Sequence, residues 1–153
     1  MVPPRGVAAL ISVSLAAACA SHDPIVSGAP PLALALVVRV VAPGAQAVTL
    51  GLQVTNLSDT SIVLRTARED FAFHAVVRVP NGVVVWDRLS GVPQVEPLTL
   101  VTLAPHTMRE FVTTWPLVTD AQERVPSGLY EVNGTLTGLP ATMRAPPRVI
   151  VVP

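Results

Sequence analysis

The sequence contains no lysine, and its single cysteine is Cys19. The ten basic residues, all arginine, balance ten carboxylates, so the formal charge is zero and there is no basic patch of the kind that binds nucleic acid. A single cysteine excludes an intrachain disulfide, so apolar burial and sheet pairing must stabilise the fold. Half of the residues are apolar and 13% are charged, which excludes a disordered chain and predicts one domain with a sizeable core.

Residue patterns typical of catalytic and metal sites are also missing. His22, His74 and His106 have neither the spacing nor the cysteine neighbours of a zinc site. The sequence has no G-x-S-x-G, no glycine-rich phosphate loop and no H-E-x-x-H. Glu69 and Asp70 are adjacent, so in an extended chain their carboxylates point to opposite sides and cannot act as a catalytic pair. We therefore expect a protein that is not an enzyme and that binds no cofactor or metal.

The first nineteen residues have the pattern of an export signal. A short, positively charged start ending at Arg5 is followed by small and apolar residues over 6–18. This run is too short to span a bilayer as a helix, but it fits the apolar part of a secretory signal peptide. We therefore predict a signal peptide over residues 1–19 and an exported protein.

Cys19 follows the apolar run directly, which resembles the lipobox of bacterial lipoproteins. In that motif the cysteine becomes the lipidated first residue of the mature protein, so the resemblance implies a membrane anchor at Cys19. The lipobox usually has leucine three residues before the cysteine, whereas this sequence has Ala16 there and Leu15 one residue further out. The alternative is cleavage after Ala20, which would discard Cys19 and give a periplasmic or secreted protein.

Residues 20–31 have the composition of a flexible tether, and residues 32–153 form the predicted domain. Sixteen prolines and nine glycines separate short apolar runs, which favours strands and turns over helices. The pattern predicts an all-β, antiparallel immunoglobulin-like β-sandwich of about eight strands. The apolar runs cover 32–41, 47–55, 61–65, 71–79, 83–87, 98–103, 108–115, 128–136 and 144–152.

Residues 70–91 form the clearest hairpin in the chain. Apolar residues alternate up to Val79, and a second apolar strand starts at Val83. Between them, Pro80, Asn81 and Gly82 predict a three-residue loop in which the glycine takes the left-handed conformation. We expect Trp86, on the return strand, to make the largest contribution to the core.

Residues 126–130, Pro-Ser-Gly-Leu-Tyr, resemble the entry to the tyrosine-bearing strand of immunoglobulin-like sandwiches. In those domains the tyrosine hydroxyl bonds back to the backbone a few residues upstream. This resemblance assigns that role to Tyr130.

A series of short motifs runs in a fixed order over residues 45–152. They are Asn56 with Ser58, Asp70-Phe71, the run 82–86 with Ser90, the strand at 98–100, Trp115, and Pro126, Gly128, Tyr130 and Gly134. Their order resembles the intracellular proteinase inhibitor (BsuPI) family. The resemblance implies an immunoglobulin-like fold and, from the founding member of the family, inhibition of a serine protease. The family name describes an intracellular protein, so an exported chain would have a different target.

A substrate-like inhibitor presents one side chain from a rigid, convex loop. The loop over 87–97 offers Arg88 and Leu89, and the loop over 120–127 offers Arg124. Arg88 is the preferred contact residue because its loop is longer and leaves the hairpin directly. Both stretches are also compatible with ordinary solvated loops.

The expected function is therefore a BsuPI-type proteinase inhibitor that acts in the cell envelope by non-catalytic protein binding, with a serine protease as the expected partner. The alternative is an envelope protein-interaction or adhesion module without protease inhibition. Such a module would use a sheet face or an edge strand to hold its partner.

Overall fold

The computed structural model describes residues 31–39, 44–93, 98–138 and 142–153. The predicted signal peptide, Cys19 and all but the last residue of the predicted tether lie outside these ranges. The described residues contain no α-helix, and none of their helical segments is long and apolar enough to cross a membrane. The ten strands are β1 Leu32–Val38, β2 Val48–Asn56, β3 Ile62–Thr66, β4 Phe73–Arg78, β5 Val84–Asp87, β6 Thr99–Leu103, β7 Met108–Trp115, β8 Gly128–Leu136, β9 Met143–Arg144 and β10 Arg148–Val152.

The strands form antiparallel sheets that pack together as a sandwich. The first sheet has the order β1-β2-β7, and the second has the order β10-β8-β4-β5, with β9 also paired to β8. Strands β3 and β6 pair with each other as a separate two-stranded sheet. The predicted all-β, antiparallel sandwich is confirmed.

The core consists of alternate side chains from the facing sheets, as the sequence pattern predicts for half-buried strands. Trp115 on β7 is the largest fully buried side chain, and its ring lies edge-on to Tyr130 with 5.5 Å between centroids. The expectation that Trp86 contributes most to the core is wrong. Trp86 lies on β5, an edge strand, where it is half-buried and packs against the core with its ring 6.4 Å from that of Trp115.

The hairpin turn between β4 and β5 has the predicted form. Gly82 has a φ of 89°, and its N–H donates to the carbonyl of Val79 at 2.9 Å. The Val79 N–H in turn donates to the carbonyl of Val83 at 3.0 Å. Pro80 and Asn81 therefore occupy the turn, and the glycine supplies the left-handed residue that closes it.

Two predicted strands differ from the structure. The strand expected from Phe71 begins at Phe73, because Glu69–Ala72 form a 3₁₀ turn in which Phe71 and Ala72 are both buried. The strand expected over 144–152 is split into β9 and β10 by Pro146 and Pro147, which have no N–H to donate to the neighbouring strand.

Tyr130 makes the hydrogen bond expected from its position. Its hydroxyl donates to the carbonyl of Pro126 at 2.7 Å. This contact fixes the entry to β8 in the manner of immunoglobulin-like sandwiches.

Asn56, at the end of β2, is fully buried and joins three segments of the chain. Its Nδ2 donates to the carbonyls of Thr60, Leu103 and Ala104 at 2.8 to 3.1 Å. Its Oδ1 accepts hydrogen bonds from the N–H and hydroxyl of Ser58. The amide thereby attaches the first sheet to the β3–β6 pair.

Candidate functional site

An apolar depression, called here the notch, lies beside the β3–β6 pair, the 3₁₀ turn and the end of β8. Its volume is about 320 Å³. Phe71, Leu89 and Leu98 supply much of its apolar lining, and Arg65 contributes a charged side chain. Thr137 and Thr142 line it as well. Apolar depressions that also carry a few polar groups are typical binding sites.

Hydrogen bonds to the end of β8 position the Phe71 wall of the notch. The Thr137 N–H donates to the carbonyl of Ala72 at 2.9 Å, and the Thr137 hydroxyl donates to the carbonyl of Phe71. The 3₁₀ turn is thereby attached to the second sheet. Phe71 is held as a preformed part of the surface.

The carboxylate of Asp87 positions Leu89. Asp87 Oδ1 accepts a hydrogen bond from the Leu89 N–H at 2.8 Å and lies 2.8 Å from Nε2 of His74. The Ser90 N–H also donates to the carbonyl of Asp87 at 3.0 Å. The loop that carries Leu89 therefore leaves β5 in a defined direction.

An exposed apolar strip, formed by Val63, Leu98 and Leu100, flanks the notch. These side chains are 43%, 57% and 64% exposed, respectively. Leu100 on β6 lies opposite Arg65 on β3. Val63 lies two residues before Arg65, so its side chain is on the same face of β3. Contiguous exposed apolar side chains are characteristic of interaction surfaces.

Arg88, the predicted contact residue, points into the protein. Its side chain is 13% exposed, its Nε donates to Oγ1 of Thr113 at 2.8 Å, and its Nη1 donates to the carbonyls of Asp70 and Phe73. Burial lowers the pKa of Arg88, and the Asp70 carboxylate, 3.6 Å from Nη2, opposes this effect. Because the guanidinium connects β7 of the first sheet to the second sheet, the geometry does not present it to a protease pocket.

Arg124 lies on an exposed loop and does not line the notch. Its guanidinium donates to Oε1 of Gln46 at 2.8 Å and to the carbonyl of Ala45 at 2.9 Å. Of the three predicted contact residues, Leu89 lines the notch, Arg88 connects the sheets and Arg124 occupies a separate loop.

No three His, Cys, Asp or Glu side chains among the described residues lie close enough together to hold a metal ion. Every buried polar side-chain atom within the described ranges has a hydrogen-bond partner. The lining of the notch combines apolar residues with the basic residue Arg65 and with Thr137 and Thr142.

Phe71, Leu98 and Leu100, which line or flank the notch, are not among the contact residues predicted from the sequence. The segment 98–103, Leu-Thr-Leu-Val-Thr-Leu, indicates exposed apolar residues, because its leucines and valine are divided between the two faces of a strand. In a strand, Leu98 and Leu100 fall on the face opposite to Val101 and Leu103. One apolar set is buried in the core, and the other remains exposed beside the notch.

Comparison with known proteins gives no family assignment. No protein-family model matches the chain, and no curated protein matches it. Among solved structures, the chain is similar to the β-glucosidase from Listeria innocua in complex with glucose, with 9% identity, a TM-score of 0.42, and coverage of 78% of this chain and 16% of the other. It is also similar to Northeast Structural Genomics Consortium target SoR45, with 14% identity, a TM-score of 0.39, and coverage of 80% and 88%, respectively. The chain therefore spans about one sixth of the length of the β-glucosidase.

Proposed function

We propose that this protein is a non-catalytic protein-binding domain and that the notch with its apolar strip is the contact site. The observation that carries the proposal is the convergence of exposed apolar side chains around a preformed apolar depression. An apolar side chain of the partner would enter the notch and contact Phe71 and Leu89. Leu98 and Leu100 would exclude water around it, as in the well-packed centre of a protein interface.

The energy available from such a contact is sufficient for recognition. Transfer of one leucine- or phenylalanine-sized side chain from water into an apolar site contributes about 1.5–3 kcal/mol. Burial of the exposed parts of Leu98 and Leu100 adds to this, and each 1.4 kcal/mol changes the dissociation constant about tenfold. Because the Phe71 wall is held by hydrogen bonds before binding, little ordering of the site opposes association.

The predicted export signal suggests where the partner is found. We propose that the protein acts in the cell envelope, attached to the membrane through a lipid on Cys19 if that residue is the first of the mature chain. Under the alternative cleavage after Ala20, the same domain would act in the periplasm or outside the cell. The intact mass of the mature protein distinguishes a diacylglyceryl Cys19 from an unmodified start at Ser21.

Two leucines of equal exposure provide a matched test of the contact site. Leu98 flanks the notch and Leu57 lies in the turn after β2, and both are 57% exposed. The protein and its Leu98→Asp and Leu57→Asp variants would be immobilised and challenged with envelope extract. We expect Leu98→Asp to weaken capture of the specific partner by at least about tenfold, and Leu57→Asp to retain it. Equal capture by both variants would refute the notch as the contact site.

A second candidate function is proteinase inhibition through the loop over 117–125. The observation that favours it is the rigidity of this loop. Three backbone hydrogen bonds of 2.8 to 3.0 Å cross the loop, and the N–H of Asp120 donates to the carbonyl of Val85 on β5. Arg124 pairs with Val118 within this loop and is exposed. A rigid, exposed loop is what a substrate-like inhibitor presents to its protease, and the BsuPI resemblance agrees with this reading.

Titration against a panel of serine proteases separates the two candidates. Stoichiometric inhibition that leaves the domain intact and is lost in Arg124→Ala would support the inhibitor. The Leu98→Asp variant should then inhibit the protease with the same potency as the unmodified protein. If every protease remains active or digests the domain, the inhibitor proposal fails and the notch proposal is unaffected.

A further inference from the structure

A second depression, called here the cleft, lies on the outer face of the second sheet. Its volume is about 360 Å³. Strands β4, β8 and β9 contribute polar side chains to its lining, and Asp87 at the end of β5 completes it. In the strand register, Arg144, Thr135 and His74 form one row across three strands. The principal polar lining residues are His74, Arg78, Asp87, Asn133, Thr135 and Arg144.

The notch and the cleft are parts of one continuous surface. Thr137 and Thr142 line both depressions. One short segment of a partner can therefore occupy both sites.

The arginines of the described residues differ in whether they donate hydrogen bonds within the protein. Seven of the nine donate hydrogen bonds to carboxylates, side-chain amide or hydroxyl oxygens or backbone carbonyls within the described ranges. The other two, Arg65 and Arg144, have no such partner among the described residues, and both are exposed. Arg65 lines the notch, and Arg144 lines the cleft.

Arg144 is the basic residue of the cleft that is open to an anionic group. Oδ1 of Asp87 already contacts Nε2 of His74 and the N–H of Leu89. Arg78 faces the carboxylate of Glu131, which lies opposite it in the strand register on the same face of the sheet. The guanidinium of Arg78 donates one hydrogen bond to the carbonyl of Gly82. Arg144 thus retains the planar set of donors that matches a carboxylate.

We propose that the cleft binds an acidic side chain of the same protein partner whose apolar side chain enters the notch. The partner segment is then a peptide with a large apolar residue and an aspartate or glutamate a short distance along the chain from it, because the two depressions share Thr137 and Thr142. Arg144 receives the carboxylate, and Asn133 and Thr135 supply further polar contacts. This inference rests on the proposed function of the notch, and it specifies the chemistry of the partner.

A random linear peptide library displayed on phage tests the inference, because it samples apolar and acidic residues at every short spacing. The library would be selected in parallel on the unmodified protein and on R144Q, L98D and R124Q. Arg124 is an exposed arginine outside both depressions, so R124Q is the matched control for loss of one positive charge. Peptides enriched on the unmodified protein would then be synthesised with Asp or Glu and with the corresponding Asn or Gln.

The proposal predicts enrichment of sequences that combine a large apolar residue with Asp or Glu at a short, fixed spacing. R144Q should lower the affinity for the acidic peptide by about fivefold, as expected for loss of one exposed charge-assisted hydrogen bond. R144Q should leave the affinity for the Asn or Gln version of the peptide unchanged. R124Q should bind both peptides with the affinity of the unmodified protein. Enrichment of apolar peptides without an acid, or an unchanged acid preference in R144Q, would overturn the inference and leave the notch proposal standing. Enrichment that survives in L98D would instead overturn the notch proposal.

Discussion

Arg88 and Leu89 are consecutive in the chain and face opposite sides of their loop. The guanidinium of Arg88 donates to Oγ1 of Thr113 at 2.8 Å inside the protein, whereas the side chain of Leu89 lines the notch. The two residues therefore have separable positions, one connecting the sheets and one lining the notch.

Replacement of Arg88 by alanine should destabilise the protein. The change removes charge-assisted hydrogen bonds to Thr113 and to the carbonyls of Asp70 and Phe73, and we expect a loss of about 2–4 kcal/mol in the free energy of unfolding. Arg124→Ala, which removes an exposed side chain, should cost about 1 kcal/mol or less. Urea denaturation measures both, and equal costs would show that Arg88 has no structural role.

Replacement of Asn56 by alanine should also be strongly destabilising. The variant removes the Nδ2 donor to the carbonyls of Thr60, Leu103 and Ala104 and the Oδ1 acceptor of Ser58, and we expect a cost of about 2–4 kcal/mol. Asn133→Ala is the control, because the Asn133 side chain donates a single, half-buried hydrogen bond to Glu131. Its cost should be about 1 kcal/mol. A thermal or urea unfolding curve for Asn56→Ala that overlaid the control would contradict the role assigned to this amide.

Tyr130 should give the protein a specific alkaline instability. Burial raises the pKa of the Tyr130 hydroxyl above its ordinary value of 10.0. The folded state therefore keeps a proton that the unfolded state releases, so the stabilisation is complete below the ordinary pKa and is lost as pH rises through the folded-state value. Tyr130 is the single tyrosine of the chain, so tyrosinate absorbance reports its titration directly.

The Tyr130→Phe variant serves as the reference for the alkaline titration. It should lose about 1 kcal/mol of stability at neutral pH, because the hydrogen bond to the Pro126 carbonyl is removed. Its stability should then fall less than that of the unmodified protein above pH 10.0. Parallel pH profiles for the two proteins would contradict this assignment.

Gly51 on β2 leaves space for an ion pair that crosses the outer face of the first sheet. Nη2 of Arg39 lies 3.0 Å from both carboxylate oxygens of Glu110, and a Cβ added at position 51 would lie 2.2 Å from Oε1 of Glu110. Gly51→Ala should therefore displace the Glu110 side chain. A double-mutant cycle on Arg39 and Glu110 should give a coupling of about 0.5 kcal/mol with glycine and near zero with alanine. An undiminished coupling in the alanine background would refute this arrangement.

Features determined by local chemistry were predictable from the sequence. The turn at Pro80, Asn81 and Gly82 follows from the φ of proline and the left-handed conformation open to glycine, and the structure confirms it. The hydrogen bond of Tyr130 spans four residues, and its position in an immunoglobulin-like strand was sufficient to predict it. Alternation of apolar residues was sufficient for the all-β sandwich.

Features determined by distant contacts were not predictable in the same way. The hydroxyl that holds Arg88 inside the protein belongs to Thr113, twenty-five residues further along the chain. Trp86 and Trp115 have similar local patterns and both lie on edge strands, β5 and β7, so their different burial depends on contacts that the fold makes and not on the local pattern. The notch likewise combines the 3₁₀ turn, the loop after β5 and the end of β8, which are brought together by the fold.

The most direct test of the notch as the protein-binding site is photo-crosslinking in intact cells. A photoreactive benzoylphenylalanine would replace Leu98 in one variant and Leu57, of equal exposure, in another. We predict that light produces a discrete adduct with a partner protein from position 98 and none from position 57. Adducts from position 57 alone, or from both positions with equal yield, would contradict the assignment of the notch as the binding site.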